Sequence, residues 1–210
     1  MAYFNGKKIL SVVHDTPTLI EKSITANGTY LSASDNVDGY SKVTVNVPVP
    51  LNKLAQYVSG NLSTITSDDI YGATLIESNV FSYFAKLKSI SFPDTITIIG
   101  NQSFYYSGLN TKVTIPNSVT NIGSNAFAYS GGIPSVEIGD GITNIGTAAF
   151  DGCSSLRSIT IRATTPPTLA NANAFRGSTC NIYVPAASVD TYKAATNWSS
   201  LASRIFAISE

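Results

Sequence analysis

The chain has 210 residues, of which 12% are charged, and its formal net charge is zero. That balance argues against nucleic-acid binding, which needs a basic surface. No apolar run reaches the roughly 18 residues that a membrane span requires, so no membrane span is expected. The first residues also lack the apolar segment of a secretory signal. This indicates either that a signal was removed or that the protein is made and assembled in a cytoplasm.

Residues 1–50 predict a small β module. Lys8–Val13 and Lys42–Val49 have the composition of strands, and the second alternates cleanly between apolar and polar residues. Between them, Asn27-Gly28 is a pair that suits a tight hairpin turn. The module is followed by a stiff Pro48-Val-Pro50 exit.

The segment from Ile24 to Val47 contains Ile-Thr-Ala-Asn-Gly-Thr-Tyr and then Val-Asp-Gly-Tyr-Ser-Lys-Val-Thr-Val-Asn-Val. This pattern resembles a short segment that recurs in phage tail proteins and other phage structural proteins. The resemblance implies that residues 1–50 attach the chain to other virion proteins. It also implies a symmetric homo-oligomer, as is usual for an appendage of a phage particle.

Residues 51–58 are apolar at Leu51, Leu54, Ala55 and Val58, which predicts a brief amphipathic helix. Such a helix can cover the open end of the repeat array that follows, because the end of a stacked array otherwise exposes apolar side chains.

From Leu87 onward the sequence repeats itself with a fixed period. In the unit that begins at Lys112, Val113-Thr-Ile115 alternates as a half-buried strand and Pro116 ends it. Gly123 marks a bend or a close approach of two backbones. A unit of this size cannot bury its own apolar face, so stacked units forming a parallel sheet, roughly 4.8 Å per coil, are predicted. The columns that recur are Ile90/Val113/Val136/Ile159, Phe92/Ile115/Ile138/Ile161, Gly100/Gly123/Gly146 and Phe104/Phe127/Phe150.

The string from Ile115 to Phe127, Ile-Pro-Asn-Ser-Val-Thr-Asn-Ile-Gly-Ser-Asn-Ala-Phe, resembles the BspA-like leucine-rich-repeat family. The resemblance covers about residues 62–185. It implies a mainly β fold, a leucine-rich-repeat solenoid of 23-residue repeats, and it says little about function because the shared residues are structural. A cysteine is frequent in that family three residues after the phenylalanine, where this chain has Ser107, Ser130 and Cys153.

Both ends of the array depart from the pattern. Residues 62–84 form a degenerate first coil, in which Phe81 stands one period before Phe104. In the fifth coil Phe175 comes two positions later than the period would place it after Phe150, and Ile182 and Val184 are expected in a final strand that closes the sheet. The predicted division is therefore a β attachment module at 1–50, a solenoid of about five coils at 51–185 and a cap at 186–210.

Residues 186–210 predict a helical cap, since helix formers follow Pro185 and a second apolar element begins at Asn197. The segment Val-Pro-Ala-Ala-Ser-Val-Asp-Thr-Tyr-Lys-Ala-Ala resembles the cap that ends many BspA-like arrays. Trp198 and Phe206 are expected to plug the last coil. The alternative for Trp198 is an exposed aromatic anchor.

No residue is predicted to be catalytic, to bind a cofactor or to bind a metal. His14 beside Asp15 lacks a nucleophile motif, and one histidine with two cysteines cannot supply a typical zinc site. Asp35–Gly39 is a hairpin turn rather than a calcium loop, because Val45 stands where the bidentate glutamate belongs. Asp68-Asp69 is expected to cap a turn.

The two cysteines, Cys153 and Cys180, do not make a disulfide framework, and two free thiols are favoured over a single bridge.

The remaining candidates lie on the surface. Tyr105, Tyr106 and Tyr129 follow the core phenylalanines, and tyrosine is enriched in binding surfaces and can stack on sugars. Packing between neighbouring coils is the alternative for them. Lys112 and Glu137 belong to a row of outward strand positions that could recognise carbohydrate or protein, although any soluble sheet needs polar residues there. The other outward positions are Ser89, Ser91, Thr114, Ser135, Ser158 and Thr160.

The two resemblances, together with the missing signal segment, imply a non-enzymatic phage virion protein (a tail, baseplate or head appendage) that displays its repeats, for host-surface binding to a protein or glycan or for particle decoration. Its predicted location is the virion, assembled in the host cytoplasm. The alternative is a bacterial cell-surface BspA-like adhesin that binds protein or glycan. An enzyme is the third hypothesis and would require His14 in a cleft with a nucleophile near it.

Overall fold

The structure, a computed structural model, describes residues 63–67, 69–70 and 73–209, together with four strands nearer the N-terminus. Several predictions lie outside the described residues: the Asn27-Gly28 turn, the helix at 51–58 and the His14-Asp15 pair. The strand predicted at Lys8–Val13 is described only at Lys8.

The N-terminal strands pair locally. The second pair, with Val37 opposite Tyr40 and Tyr30 opposite Pro48, is antiparallel, which confirms that these two strands pair as a hairpin and that a strand includes Lys42. Asp38 and Gly39 of the predicted turn lie outside the described residues. The first pair, with Tyr3 opposite Lys8, is also antiparallel. These strands are β1 (Tyr3–Phe4), β2 (Lys7–Lys8), β3 (Tyr30–Val37) and β4 (Tyr40–Pro48).

The described residues from 63 to 184 wind as stacked coils. The first strands of the first two coils pair with each other in parallel, and the first strands of the later coils form the predicted parallel sheet. Val136 lies opposite Val113 on one side and Ile159 on the other, so equal columns meet in register. Alternation places Val113 and Ile115 in the interior and leaves Thr114 exposed. These strands are β5 (Thr64–Ile65), β7 (Ser89–Ile90), β9 (Val113–Ile115), β11 (Ser135–Ile138), β13 (Ser158–Ile161) and β15 (Asn181–Val184).

A second parallel sheet, which the sequence did not predict, runs through the coils. Ile122 lies opposite Ile99 and Ile145, and all three side chains are fully buried. Gly123 follows, where an added Cβ would meet backbone of the neighbouring coil at 2.6 Å, so this glycine is needed for close approach. The strands are β6 (Leu75–Ile76), β8 (Ile98–Ile99), β10 (Asn121–Ile122), β12 (Asn144–Ile145) and β14 (Thr168–Leu169).

The hydrophobic core of the coils contains a phenylalanine column, one ring per coil. Successive rings are stacked with centroids 5.3, 5.0, 5.3 and 5.9 Å apart, and each ring is at most 1% exposed. Burying one such side chain stabilises the fold by about 1.5–3 kcal/mol. The column consists of Phe81, Phe104, Phe127, Phe150 and Phe175.

The two atypical coils keep this column. Phe81 stacks on Phe104, which confirms the degenerate first coil, and Asp69 Oδ2 accepts a hydrogen bond from Thr66 N, which confirms that Asp69 caps a turn. In the fifth coil one additional residue precedes Leu169, which pairs with Ile145, and the other lies between Leu169 and Phe175, where a 3-10 helix, Ala172–Phe175, forms and Phe175 still lies on Phe150.

The cap begins with a 3-10 turn (Ala186–Ser188) and helix α1 (Val189–Ala194), followed by a 3-10 helix (Ser199–Arg204) and strand β16 (Ile205–Ala207). The buried Trp198 packs at a tilt of 43° against Phe175, with centroids 5.9 Å apart, and its Nε1–H donates to Pro167 O at 2.8 Å, so it plugs the last coil as predicted.

The prediction for Phe206 is wrong, because its side chain is 44% exposed and Ile205 fills the core position instead. Ile182–Val184 is likewise not the last strand, since β16 pairs with it in parallel and places Ile205 opposite Ile182.

Cys153 and Cys180 are both buried and free, as predicted. Cys153 Sγ lies 3.2 Å from Phe127 O, to which it donates, just as Ser130 Oγ donates to Phe104 O at 2.7 Å one coil earlier. Burial raises the pKa of the Cys153 thiol to about 12, so the thiol is unreactive in the folded protein.

Within the described part of the chain, none of the helices has the length and apolar character that crossing a bilayer demands.

Candidate binding surface

Three exposed tyrosines, one from each of the first three coils, stack into a ladder beside the phenylalanine column. Tyr83 lies on Tyr106 with centroids 5.6 Å apart and planes at 4°, and Tyr106 lies on Tyr129 at 4.7 Å and 11°. Their exposed fractions are 69%, 46% and 38%. We call Tyr83, Tyr106 and Tyr129 the tyrosine ladder.

Tyr105 packs edge-on against this ladder. Its ring centroid lies 5.5 Å from Tyr83, 4.8 Å from Tyr106 and 5.7 Å from Tyr129, each time nearly perpendicular. Desolvation, followed by the other tyrosines and Asp151, raises the pKa of Tyr105, so its hydroxyl stays protonated at neutral pH.

The predicted group of Tyr105, Tyr106 and Tyr129 is therefore brought together, and Tyr83 is the member that sequence reasoning missed. The signal was present, because Tyr83 stands one full period before Tyr106. It was hidden by the degenerate first coil.

The ladder residues share an unusual backbone conformation. Their φ angles are +60°, +52° and +59°, in the left-handed region that is unfavourable for a bulky side chain. The next two coils carry glycine at the equivalent slot, Gly152 at φ +68° and Gly177 at φ +74°. The slot therefore suits glycine, and the chain places an aromatic side chain there in three coils.

The ladder ends over Gly152. A Cβ at this glycine would lie 2.5 Å from Tyr129 Cδ1, so the missing side chain makes room for the ring of Tyr129. The face of Tyr129 that points away from Tyr106 is thereby covered by backbone. Since Tyr106 lies between two rings, Tyr106 and Tyr129 present edges and hydroxyls to solvent rather than ring faces.

An ion pair continues the row beyond the ladder. Arg176 Nη2 donates to Asp151 Oδ2 at 2.7 Å and its Nε lies 3.2 Å from both carboxylate oxygens. Asp151 is buried, while the Arg176 side chain is 62% exposed and also interacts with Tyr129. The hydrogen bonds and charge of Asp151 raise the pKa of Arg176, which keeps the guanidinium charged at every physiological pH.

Lys112 and Glu137, the other two predicted site residues, pair on the outer face of the first sheet. Lys112 Nζ donates to Glu137 Oε2 at 2.5 Å, and Arg162 Nε donates to Oε1 at 2.7 Å. These two hydrogen bonds lower the pKa of Glu137. All three residues line an open groove of about 710 Å³ beside Phe92. Sequence reasoning missed Arg162, which lies on the adjacent coil two positions beyond the column of Glu137.

Neither group has the layout of a catalytic or metal centre. Among residues 63–67, 69–70 and 73–209, no three His, Cys, Asp or Glu side chains come together as metal ligands. The arrangement offers aromatic edges, hydroxyls and paired charges on an exposed surface, which is suited to binding.

Comparison with known proteins identifies the repeat. The family model described as "BspA type Leucine rich repeat region" matches six copies over residues 74–197. A leucine-rich repeat protein from Bacteroides ovatus ATCC 8483, of known crystal structure, is 19% identical over 75% of this chain and 58% of its own, with a TM-score of 0.41. The chain thus spans less than two thirds of that protein. No curated protein matches the sequence.

The family model covers more than half of the chain, and the matched residues include the buried columns of the core. The chain belongs to the BspA-type leucine-rich repeat family.

Proposed function

We propose that this chain is a non-enzymatic adhesion protein whose repeats present the tyrosine ladder to a protein or glycan on a host surface. The observation that carries the proposal is the retention of three exposed tyrosines at a backbone slot where two later coils of the same chain have glycine. The repeat family is typically non-enzymatic, which also favours a binding role.

Packing energy does not explain why the ladder is made of tyrosine. A strained left-handed residue lowers stability by about 1–3 kcal/mol, whereas an aromatic pair stabilises by about 0.5–1.5 kcal/mol beyond its buried area. For side chains that remain 38–69% exposed, the two effects roughly cancel. Stability alone therefore gives no reason to prefer tyrosine, while exposed clustered aromatics are typical of interaction surfaces.

The setting we propose is a phage particle, with residues 1–50 attached to other virion proteins and the solenoid displayed as one copy of a homo-oligomer. Support comes from the resemblance of Ile24–Val47 to phage structural proteins. The chain would then be assembled in the host cytoplasm and located on the virion, where host-surface binding and decoration of the particle are both compatible roles.

A bacterial cell-surface adhesin is the second candidate, and membership of the BspA-type family favours it. The two settings differ in what residues 1–50 do. Deleting these residues should abolish incorporation into phage particles while leaving a folded solenoid. Normal incorporation of the truncated chain would contradict the attachment role.

The adhesive role is tested by replacing Tyr106 and Tyr129 together with glycine, the residue that later coils carry at this slot. We expect adhesion to the host surface to fall at least tenfold, with the far-UV circular dichroism spectrum and Tm preserved. Phe206→Ala is the matched control, because Phe206 is 44% exposed and lies outside the ladder. Unchanged adhesion of the double variant would contradict the proposed function.

A further inference from the structure

We propose that the tyrosine ladder and the Arg176–Asp151 pair bind a linear glycan that runs along the solenoid axis, crossing one coil after another. This inference rests on the proposed adhesive function and specifies its ligand. The family match does not specify a ligand for the ladder. The ladder is also not a feature of every coil, because its slot is glycine in the last coils.

A ligand can reach only part of each ring in the middle and at the end of the ladder. Tyr106 has Tyr83 on one face at 5.6 Å and Tyr129 on the other at 4.7 Å, and Tyr129 has Gly152 beneath its second face. A sugar ring cannot stack face-to-face on either. What remains accessible at both is the outer ring edge with its phenol hydroxyl, which can donate and accept a hydrogen bond.

The tyrosine rings are spaced along the solenoid axis at intervals of about one coil. The hydroxyl-bearing rings recur once per coil, at 5.6 and 4.7 Å, and the coil repeat of about 4.8 Å carries the row on to Asp151 and Arg176. A linear glycan offers hydroxyls at a regular interval, one pyranose ring after another, and a pyranose ring is comparable in length to the rise of one coil. A ligand along the axis can therefore place one sugar at each rung. In β-1,4-linked chains successive sugars are turned over, so the same hydroxyl returns at every second rung and a different hydroxyl is presented between.

Arg176 and Asp151 lie at the end of the row, beyond the ladder. Arg176 uses Nε and one N–H of Nη2 for Asp151 and also hydrogen-bonds with Tyr129, and its side chain is 62% exposed, so the N–H groups that are left can donate to a ligand hydroxyl. Because the carboxylate of Asp151 balances the guanidinium, the pair offers hydrogen bonds without net charge. This favours an uncharged, hydroxyl-rich ligand over a polyanion.

The backbone hydrogen bonds of the ladder favour a glycan over an extended peptide strand as the ligand. A peptide strand that adds to an edge needs free backbone donors. Here the ladder N–H groups already donate to the next coil, Tyr83 N to Tyr105 O at 2.7 Å, Tyr106 N to Ala128 O at 2.9 Å and Tyr129 N to Asp151 O at 2.7 Å. These three rungs therefore offer side-chain hydroxyls to a ligand, and their backbone N–H groups are not available to pair with a strand.

The test uses the full chain and labelled linear oligosaccharides of the β-1,4-glucose, β-1,4-N-acetylglucosamine and α-mannose series, from monosaccharide to hexasaccharide, together with an array of bacterial surface polysaccharides. We expect the dissociation constant to fall with each added sugar and to level off at about five residues, one per coil. Tyr106→Phe, which keeps the ring and the strain but lacks the hydroxyl, should weaken binding about two- to tenfold.

Tyr106→Gly should weaken binding further, and Phe206→Ala should not change it. A monosaccharide that binds as tightly as a pentasaccharide would overturn the axial arrangement, as would full affinity in Tyr106→Phe. If no glycan binds, and ladder-dependent adhesion to cells survives periodate oxidation of their surface sugars but not protease digestion, the ligand is a protein and the glycan inference fails. The adhesive function would stand in that case. Adhesion that does not depend on the ladder would overturn both proposals.

Discussion

The phenylalanine column and the tyrosine ladder are built by the same repetition, yet they differ in almost every physical property. Both are files of nearly parallel rings about one coil apart. The phenylalanines are at most 1% exposed, and among the described residues none of them has a positive φ. The tyrosines are 38–69% exposed and all three have a positive φ.

The contrast between the phenylalanine column and the tyrosine ladder shows that stacking by itself carries no information about function in a repeat protein. Any residue type that recurs at the period will stack on its copies. A file of rings stabilises the fold when two conditions are met. The rings must be removed from water, and the backbone conformation at each ring must be a favourable one. The phenylalanine column meets both conditions and the tyrosine ladder meets neither.

The largest loss of stability is expected at Phe127, the middle ring of the buried column. Its ring centroid lies 5.0 Å from that of Phe104 and 5.3 Å from that of Phe150. Phe127→Ala should lower the free energy of unfolding by about 3–5 kcal/mol, because a fully buried ring is lost and a cavity remains. Urea unfolding followed by circular dichroism measures the change. A loss no larger than that of a surface substitution would contradict the assignment of the column as the core.

At Tyr106 we expect the usual order of alanine and glycine to be reversed. Glycine adopts φ +52° without strain, whereas alanine, which this chain places at φ +54° in Ala148, adopts it at an energetic cost, so Tyr106→Gly should be more stable than Tyr106→Ala by about 1 kcal/mol. Relative to the native chain, Tyr106→Gly should change stability by no more than about 1 kcal/mol, because relief of strain offsets the lost ring contacts.

The matched pair at Phe127 supplies the control, since its backbone is in an ordinary region and alanine should there be at least as good as glycine. Thermal unfolding of all four variants checks this. The same order of alanine and glycine at both positions would contradict the strain argument.

Glu137 allows a smaller test on a charged column of the outer face. Its pKa is lowered by Lys112 and Arg162, so the pairing stabilises the fold fully above the ordinary carboxyl pKa of 4.5 and is lost as the pH falls through the lower folded value. Glu137→Gln should lower stability at pH 7 by under about 1 kcal/mol and should flatten its decline below pH 4.5. Urea midpoints across this range measure both effects, and an unaltered acid decline would contradict the assignment.

The smallest change is expected from Cys153→Ser. Serine already occupies the equivalent position as Ser130, which donates to a main-chain oxygen just as Cys153 does. Stability should therefore change by less than about 1 kcal/mol. Urea unfolding checks this, and a loss comparable with that of Phe127→Ala would show that the column tolerates no exchange.

The sequence was informative wherever a side chain recurs in phase. The isoleucine, glycine and phenylalanine columns could all be predicted, because burial of a repeated face leaves little freedom in how the coils stack. The second sheet was missed because its strands, such as Asn121–Ile122, are too short to show alternation. A pair of residues has no period, so only the neighbouring coil reveals that it is a strand.

The cap shows a signal that was available and overlooked. Ile205 stands one period after Ile182, Trp198 one period after Phe175 and Tyr192 one period after Leu169. The cap is thus a further coil whose second strand is replaced by helix α1. The wrong expectation for Phe206 arose from ignoring this register, since a shift of one residue moves a side chain to the opposite face of a strand.

The candidate binding surface was only partly predictable for a different reason. The period brought Tyr106 and Tyr129 together, but it could not show that the slot has a positive φ, because that depends on backbone geometry. Arg176 was out of reach as well, since the additional residues in its coil move it out of register with Asp151.

That the cap keeps the spacing of the coils has a consequence for how such a protein can evolve. Unequal crossing-over between two copies of the repeated DNA would insert or delete one whole turn, and the C-terminal segment would meet its new neighbour with the same contacts as before. The length of the array, and with it the number of tyrosine rungs, can therefore change in a single genetic event without any repair at the ends.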